Sequence, residues 1–431
     1  MQKIINIITL GCAKNTVDSE KFAYIAENHG FKVYHNSETN DFNIAIVNTC
    51  GFINDAKVQS IDTILDLVAL KKNKNLEKII VFGCLSERYM NDLKQEIPEV
   101  DVFLGNYNPN DLMSALNVQN RKTYNIYGRI FESANHYSYL KIAEGCNRNC
   151  SFCAIPLFKG KYVSRETDEI LQEAKVLSDN GVKELLLIAQ DLSFYGYDLK
   201  KKFLLSELIE KLSVIDGIEW IRMHYLYPFL FPEKVIDIAA ENPKICKYFD
   251  IPVQHISDKI LQMMNRGGTK AETYKLIEKI RKKIPDAAIR TSLLVGHPGE
   301  GKREFEELLE FVKIIKFDRL GVFEYSEEEG TKSAKNYKDT IKTSVKKQRS
   351  KMIMDIQAEI SLELNLKKVG RSFKTIVDEF DGKFYYGRTE FDSPEVDNEV
   401  IFTSLEKIET GQFVQVNIES ADEYSLRGKK I

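Results

Sequence analysis

Six of the seven cysteines fall into two sets of three, and their spacing is where chemistry first shows. Cys146, Cys150 and Cys153 lie in "AEGCNRNCSFC", separated by three and then two residues. Three thiolates on one short loop suit three irons of a [4Fe–4S] cluster, which leaves the fourth iron open to a small molecule. Zinc is the rival, but a structural zinc site takes four ligands, usually as CxxC pairs. The nearest histidine, His136, is ten residues upstream of Cys146. A packed, inert thiol is the ordinary account of a single cysteine. It is a poor account of three on a loop that also carries Gly145, Asn147, Arg148 and Asn149.

The other set is dispersed. "INIITLGCAKN", "NIAIVNTCGF" and "KIIVFGCLSER" each run as a short apolar strand that hands a cysteine (Cys12, Cys50, Cys84) to its exit turn. For one of them, packing at a strand end suffices. Three at the same topological position, facing one crevice, are better explained by a second cluster with an open iron. Cys246 stands alone before a buried strand and reads as a packed thiol.

Positioning these residues requires particular elements. Residues 1–120 alternate apolar strands with helical patterns such as "SEKFAYIAENHG" and "AKVQSIDTILDLVALKK", the mark of a parallel sheet covered by helices. Ligands of such sheets bind beyond the carboxyl ends of the strands, where all three dispersed cysteines lie. A polar stretch, "NRKTYNIYGRIFESANHYS", reads as a linker. Over 132–364 six strand candidates recur: "YLKIAEG", "KELLLIAQ", "EWIRMHY", "KYFDIPV", "AIRTSLLVG" and "RLGVFEYS". They predict an incomplete relative of the eightfold barrel, with its site at the carboxyl strand ends. Gln190 and Asp191 in "IAQD" fall at such an end, as substrate or cofactor contacts or as satisfied polar groups. Arg222 and His224 alternate with apolar neighbours and point into the barrel or cap its core. A long helical pattern from Val345 stops near Gly370, and residues 366–431 hold five short strands, a small β-barrel. The Asp381-Gly382 pair predicts a type I′ hairpin turn.

The bulk composition is ordinary for a soluble globular protein, and the length suits two or three domains: 431 residues, 43% hydrophobic, 29% charged, net charge −3. No global basic field points to nucleic acid. No apolar run reaches the roughly 20 residues needed to span a bilayer, and the start "MQKIINIITLGC" does not read as a signal peptide. A cytosolic setting follows, and in a reducing compartment cysteines serve as ligands or catalytic groups rather than in disulfides.

The CxxxCxxC after the first strand of a six-unit barrel resembles the radical S-adenosylmethionine (SAM) superfamily, and the two cysteine sets in this order are similar to those of the methylthiotransferases along the whole chain. The resemblance implies an α/β architecture: a flavodoxin-like N-terminal domain (1–120), a partial (β/α)6 radical SAM barrel (132–364) and a small β-barrel of the TRAM type (366–431). It implies two [4Fe–4S] clusters and SAM, with Cys146, Cys150 and Cys153 on the SAM-cleaving cluster and Phe152 against the adenine. Cys12, Cys50 and Cys84 would hold the auxiliary cluster implicated in sulfur delivery, and a low-potential electron donor would act as partner. One SAM would methylate the sulfur and a second would supply the 5′-deoxyadenosyl radical that removes hydrogen from an unactivated carbon.

"LGCAKNTVDSE", "NTCGFI", "GCLSERY", "GKYVSR", "AQDLSFYG" and "SPEVD" resemble the branch acting at the β-carbon of an aspartate of ribosomal small-subunit protein S-twelve. That protein, free or on the ribosome, is then the expected substrate, with no direct nucleic-acid substrate and no membrane; tRNA adenosine is the alternative. Ala13 departs from the usual Pro, and His297 in "VGHPGE" stands where Phe is expected, as a barrel-rim residue rather than a catalyst. From Gly370 onward eight basic residues face thirteen acidic ones. A phosphate-gripping domain should be basic, so an acidic tail favours a basic protein substrate.

Overall fold

The computed structural model describes residues 2–39, 41–73, 76–118, 124–132 and 135–431. Its first sheet contains β1 (Ile4–Thr9), β2 (Lys32–His35), β3 (Ile44–Thr49), β4 (Lys78–Gly83) and β5 (Val102–Phe103), parallel throughout in the order β2-β1-β3-β4-β5. The central strand β3 is buried at all six positions, which is why it reads as a continuous apolar run instead of an alternating one. Helices α1 (Ala13–Asn28), α2 (Asn54–Asn73) and α3 (Cys84–Glu96) cover the sheet, with one apolar layer around Val47 and Ile64 and another around Ile46 and Phe22. This strand order is the flavodoxin-like one, whose ligands sit at the reversal between β1 and β3. Thr9 pairs with Asn48 and Thr49 with Gly83, so β1, β3 and β4 release their chains side by side.

The next strand, β6 (Tyr137–Lys141), ends one residue before a small antiparallel pair, β7 (Ala143–Glu144) and β8 (Val163–Ser164), which brackets the second cysteine loop. The expected single run "YLKIAEG" therefore divides at Ile142, whose N–H donates to Ile188 O at 3.0 Å before the chain turns outward. Strands β9 (Glu184–Ile188), β10 (Trp220–Met223), β11 (Ile245–Asp250), β12 (Ala288–Val295) and β13 (Arg319–Glu324) complete an all-parallel, six-stranded sheet with β6, adjacent in chain order. Leu185, Leu187, Ile221, Met223, Phe249 and Ile289 join the large core beneath the helices. The alternating positions carry Glu184, Arg222, Asp250 and Arg290 on the opposite, concave face.

The tail is a closed barrel of β14 (Ser372–Phe380), β15 (Tyr385–Thr389), β16 (Glu399–Thr403), β17 (Phe413–Ala421) and β18 (Ser425–Lys430), in the order β14-β15-β16-β18-β17. Its first hairpin corrects the sequence expectation. The last pair is Phe380↔Tyr385, so four residues form the loop in place of a two-residue type I′ turn. A type I′ turn needs positive φ at both central residues, and only Gly382 has it. Asp381 instead accepts, through its carboxylate, the N–H groups of Lys383 and Phe384 at 2.7 Å.

The tail packs on the concave face of the six-stranded sheet. Trp220 meets Phe413 edge-on at 4.8 Å and shares a core with Cys246, Tyr248 and Ile376. Glu184 accepts from Arg222 (2.8 Å) and from Arg388 of the tail (2.7 Å), Arg319 pairs with Asp392, and Arg290 with Asp397 at 3.4 Å. Two expectations change here. The acidic excess of the tail is partly taken up inside, because Asp378, Asp392 and Asp397 pair with Arg388, Arg319 and Arg290. The polar stretch read as a linker lies outside the described residues at 120–123 and 133–134. Elsewhere it is no loose tether, since Arg129 and His136 are buried in ion pairs.

Candidate functional site

The three dispersed cysteines converge. Cys12 is the N-cap of α1 and Cys84 is the first residue of α3, so two of the three sit on helix N-termini where the dipole favours a thiolate. The exit turns read from the sequence are, in these two cases, helix starts. Ala13 takes the first helical position, where Pro is also well tolerated. Gly11 has φ +97°, and a Cβ there would lie 2.6 Å from Cys50 Cβ and 2.8 Å from its Sγ. Gly51 is as tightly placed, with Leu85 Cα 2.8 Å from where its Cβ would be. Only glycine lets these loops close on one another.

Buried polar side chains lock the arrangement. Asn15 donates to Leu10 O (2.7 Å) and Thr49 O (3.3 Å), and Asn48 donates to Asn15 O (2.9 Å) and Ser19 Oγ (3.1 Å). Thr49 Oγ1 donates to Phe82 O at 2.7 Å, and Ser60 Oγ accepts from Cys50 N at 3.1 Å. Burial pushes the thiol of Cys50 up and that of Cys84 up to about 12. Binding a metal through such thiols releases their protons.

The second set occupies the loop between β7 and β8. Cys150 is buried, and Cys146 and Cys153 are partly so; burial raises Cys146 to about 11 and Cys153 to about 12. Arg266 donates to Cys150 Sγ at 3.3 Å while its guanidinium stands 4.4 Å from the Tyr227 ring. Arg148 lies over the same ring at 4.0 Å and donates to Asp191 Oδ2 at 2.8 Å. Phe152 packs with Ile260, Met264, Leu294 and Tyr325 on one side and with Cys150 and Tyr227 on the other. Gln190 donates to Glu144, and its Oε1 is buried without a partner. Lys141 and Lys159 hold Glu144 at about 2 against its burial.

The two sets share one space. Cys84 packs against Ala154, Ile155 and Phe158, the residues that directly follow Cys153. Asn106 donates to Phe158 O at 2.5 Å, Lys141 reaches Asp18 at 2.5 Å, and Arg88 and Lys57 clamp Glu328 at 2.8 and 2.9 Å. The donor chemistry of each set is three soft thiolates and no fourth protein ligand, which fits an iron–sulfur cluster with an open iron. Among the described residues, no three His, Cys, Asp or Glu side chains close around one point tightly enough for a single ion. The unpartnered Gln190 Oε1 and Arg148 Nη2 near the barrel set offer an acceptor and a donor to a polar cofactor.

Other residues resolve into supports. His297 is fully buried: its ring bonds Pro298 O at 2.9 Å and Ser333 Oγ at 3.0 Å, and burial pushes it down to about 4. Ser333 in turn reaches Ser151, between Cys150 and Phe152, at 2.8 Å. Arg222 and His224 face the tail, with His224 3.1 Å from Ser393 Oγ. Cys246 is a buried core thiol. His136 pairs with Asp378 at 2.6 Å. Sequence pattern alone does not single out Arg266 or the polar locks Asn15, Asn48 and Ser60; its only signal for them is the clustering of Asn, Ser and Gly around the cysteines.

Comparison with known proteins adds three family matches: the uncharacterized protein family UPF0004 over residues 4–105, the radical SAM superfamily over 140–312, and a TRAM domain over 369–431. A ribosomal protein uS12 methylthiotransferase RimO from Bacteroides fragilis is 51% identical over 431 residues, 100% of both chains. Those of Phocaeicola vulgatus and Flavobacterium johnsoniae are 50% and 49% identical, covering 98% and 99% of this chain and 98% and 97% of their own. Among solved structures, a radical S-adenosylmethionine methyltransferase, TsrM, from Kitasatospora setae shares the fold with TM-score 0.54 at 13% identity over 75% of each chain.

Proposed function

The chain belongs to the family of ribosomal protein uS12 methylthiotransferases, and from that premise we propose that its two cysteine sets act together on one aspartyl β-carbon of uS12, ribosomal small-subunit protein S-twelve. Cys12, Cys50 and Cys84 hold one [4Fe–4S] cluster and Cys146, Cys150 and Cys153 the other. When bound, the barrel cluster supplies the electron that cleaves SAM for hydrogen abstraction, and the N-terminal cluster supplies the place where sulfur is held for transfer. The observation that carries this reading is the packing of Cys84 against the residues following Cys153. A carbon lying between the sets can then meet both chemistries without a large movement of either domain.

The chain's own residues bind, orient and exclude water. Gln190 offers its free Oε1 to an amino group of SAM, and Phe152 offers an apolar wall beside the barrel set. Arg266 and Arg148 bring positive charge to a loop crowded with thiolates. Burial of Cys50, Cys84 and Cys150 keeps water from the reacting centre. Among the described residues no helix is long and apolar enough to cross a membrane, and a ribosomal substrate puts the reaction in the cytoplasm, with a low-potential electron donor as a further partner.

The deciding experiment is product mass analysis. Anaerobically reconstituted protein is incubated with SAM and either uS12 or unmodified tRNA. A methylthio group on a uS12 aspartate is the expected product. An adduct on adenosine alone would overturn the substrate, and zinc-loaded protein without iron would overturn the chemistry.

A further inference from the structure

Charged side chains stand between the two cysteine sets, and nearly all are paired. Lys141 reaches Asp18 (2.5 Å) and Glu144 (2.9 Å), Lys159 lies 3.8 Å from Glu144, and Arg148 holds Asp191 at 2.8 Å. Lys14 is the exception. It follows Cys12 by two residues, and no hydrogen bond or ion pair to another described residue holds its ammonium. Instead the Nζ rests over the ring of Tyr225, 4.3 Å from the centroid. The ionisable groups around it come from both domains: Cys12 and Cys84 from the N-terminal set, Tyr225 and Glu144 from the barrel.

The ring that receives Lys14 is itself held in place. Tyr225 follows β10 with φ +60°, a conformation that bulky residues seldom adopt. Its N–H donates to Asp250 Oδ2 at 3.0 Å and its carbonyl accepts from Leu192 N at 3.1 Å. Backbone outliers of this kind gather where a ligand is handled. A ring face attracts an ammonium but satisfies none of its three N–H donors. Those donors remain available to an anion placed beside them.

We propose that Lys14 takes the carboxylate of the substrate aspartyl side chain and holds its β-carbon between the two cysteine sets. The inference rests on the reading of the substrate given above. Lys14 leaves the Tyr225 ring for the arriving carboxylate, a better partner than a ring face because the hydrogen bonds are charge-assisted. An asparagine at the same position offers no charge and is discriminated against. A lysine serving only to offset thiolate charge would give no such preference.

The test is direct binding by the anaerobically reconstituted full chain. The probes are uS12 and a uS12 variant with the modified aspartate changed to asparagine. The proteins are the natural chain, Lys14→Gln and Lys14→Arg, with iron measured in each. The natural chain should prefer the aspartate form by about 10- to 100-fold, the scale of a hydrogen bond to a charged group. Lys14→Gln should lose that preference with its iron intact, and Lys14→Arg should keep it. A Lys14→Gln protein that retains the preference overturns the inference, as does one that loses preference and iron together while Lys14→Arg behaves the same way. If the natural chain leaves aspartate unmodified, the proposed function itself fails. If it modifies aspartate and Lys14→Gln still discriminates, only the role of Lys14 fails.

Discussion

At the scale of single residues, Arg266 is the most informative side chain that sequence pattern left silent. Its guanidinium donates to Cys150 Sγ at 3.3 Å, and hydrogen bonds to cluster sulfurs raise the reduction potential by stabilising the more negative reduced state. Replacing it by glutamine removes a positive charge, so the potential of the barrel cluster should shift negative in an EPR-monitored redox titration. An unchanged potential would mean that Arg266 only fills space. Gly11 makes a second residue-scale prediction. Gly11→Ala forces a Cβ to within 2.6 Å of Cys50 Cβ, so iron content should fall to that of the barrel set alone while the barrel EPR signal survives. The cysteines were legible because apolar strand runs and a tight CxxxCxxC are local patterns. Arg266 was not, since nothing between Cys150 and a residue 116 positions later in the chain foretells their contact.

At the scale of elements, the stretch "LGCAKNTVDSE" turns out to be a device for joining strands and domains. Asn15, Asp18, Ser19 and Glu20 are all buried. Asn15 and Ser19 tie α1 to β3, Asp18 reaches Lys141 of the barrel, and Glu20 reaches Arg129. A charged helix start of this kind reads from sequence as solvated, and only tertiary packing reveals otherwise. Asn48→Ala should therefore lower unfolding free energy by about 1–3 kcal/mol, because it strands buried acceptors. Thermal unfolding of the apoprotein would show it as an earlier transition. The strands themselves were legible from their apolar runs. The hairpin at Asp381 was not, because the side chain of Asp381 competes with the backbone for its own turn.

At the scale of the whole molecule, buried ion pairs join the tail to the six-stranded sheet. Burial would raise Glu184, yet Arg388 and Arg222 outweigh it and hold the carboxyl below its ordinary 4.5. Asp378 and Asp392 are likewise held below 3.8, by Arg388 and Arg319 against their burial. A carboxyl depressed in the folded state contributes stability that is complete above its unfolded value and fades as pH falls through the folded one. The tail should thus loosen from the sheet as pH drops below about 4.5, seen as faster proteolysis between 364 and 372. Arg388→Met should bring that loosening closer to neutral pH, since it removes one of the two guanidinium partners of buried Glu184 and the arginine partner of half-buried Asp378, a loss of about 1.5–3 kcal/mol for a hydrogen bond to a charged group. None of this docking was legible in sequence, where Glu184, Arg222 and Arg388 belong to three unrelated stretches.

The same pairing has a consequence in time. Glu184 is joined to a guanidinium that is translated 204 residues later. At about 5–20 residues per second the gap is about 10–40 s. For that interval the nascent sheet holds Glu184 with Arg222 alone, without the tail guanidinium that completes the pairing. The buried ion pairs that dock the tail on the sheet therefore close only when the last strands have been made.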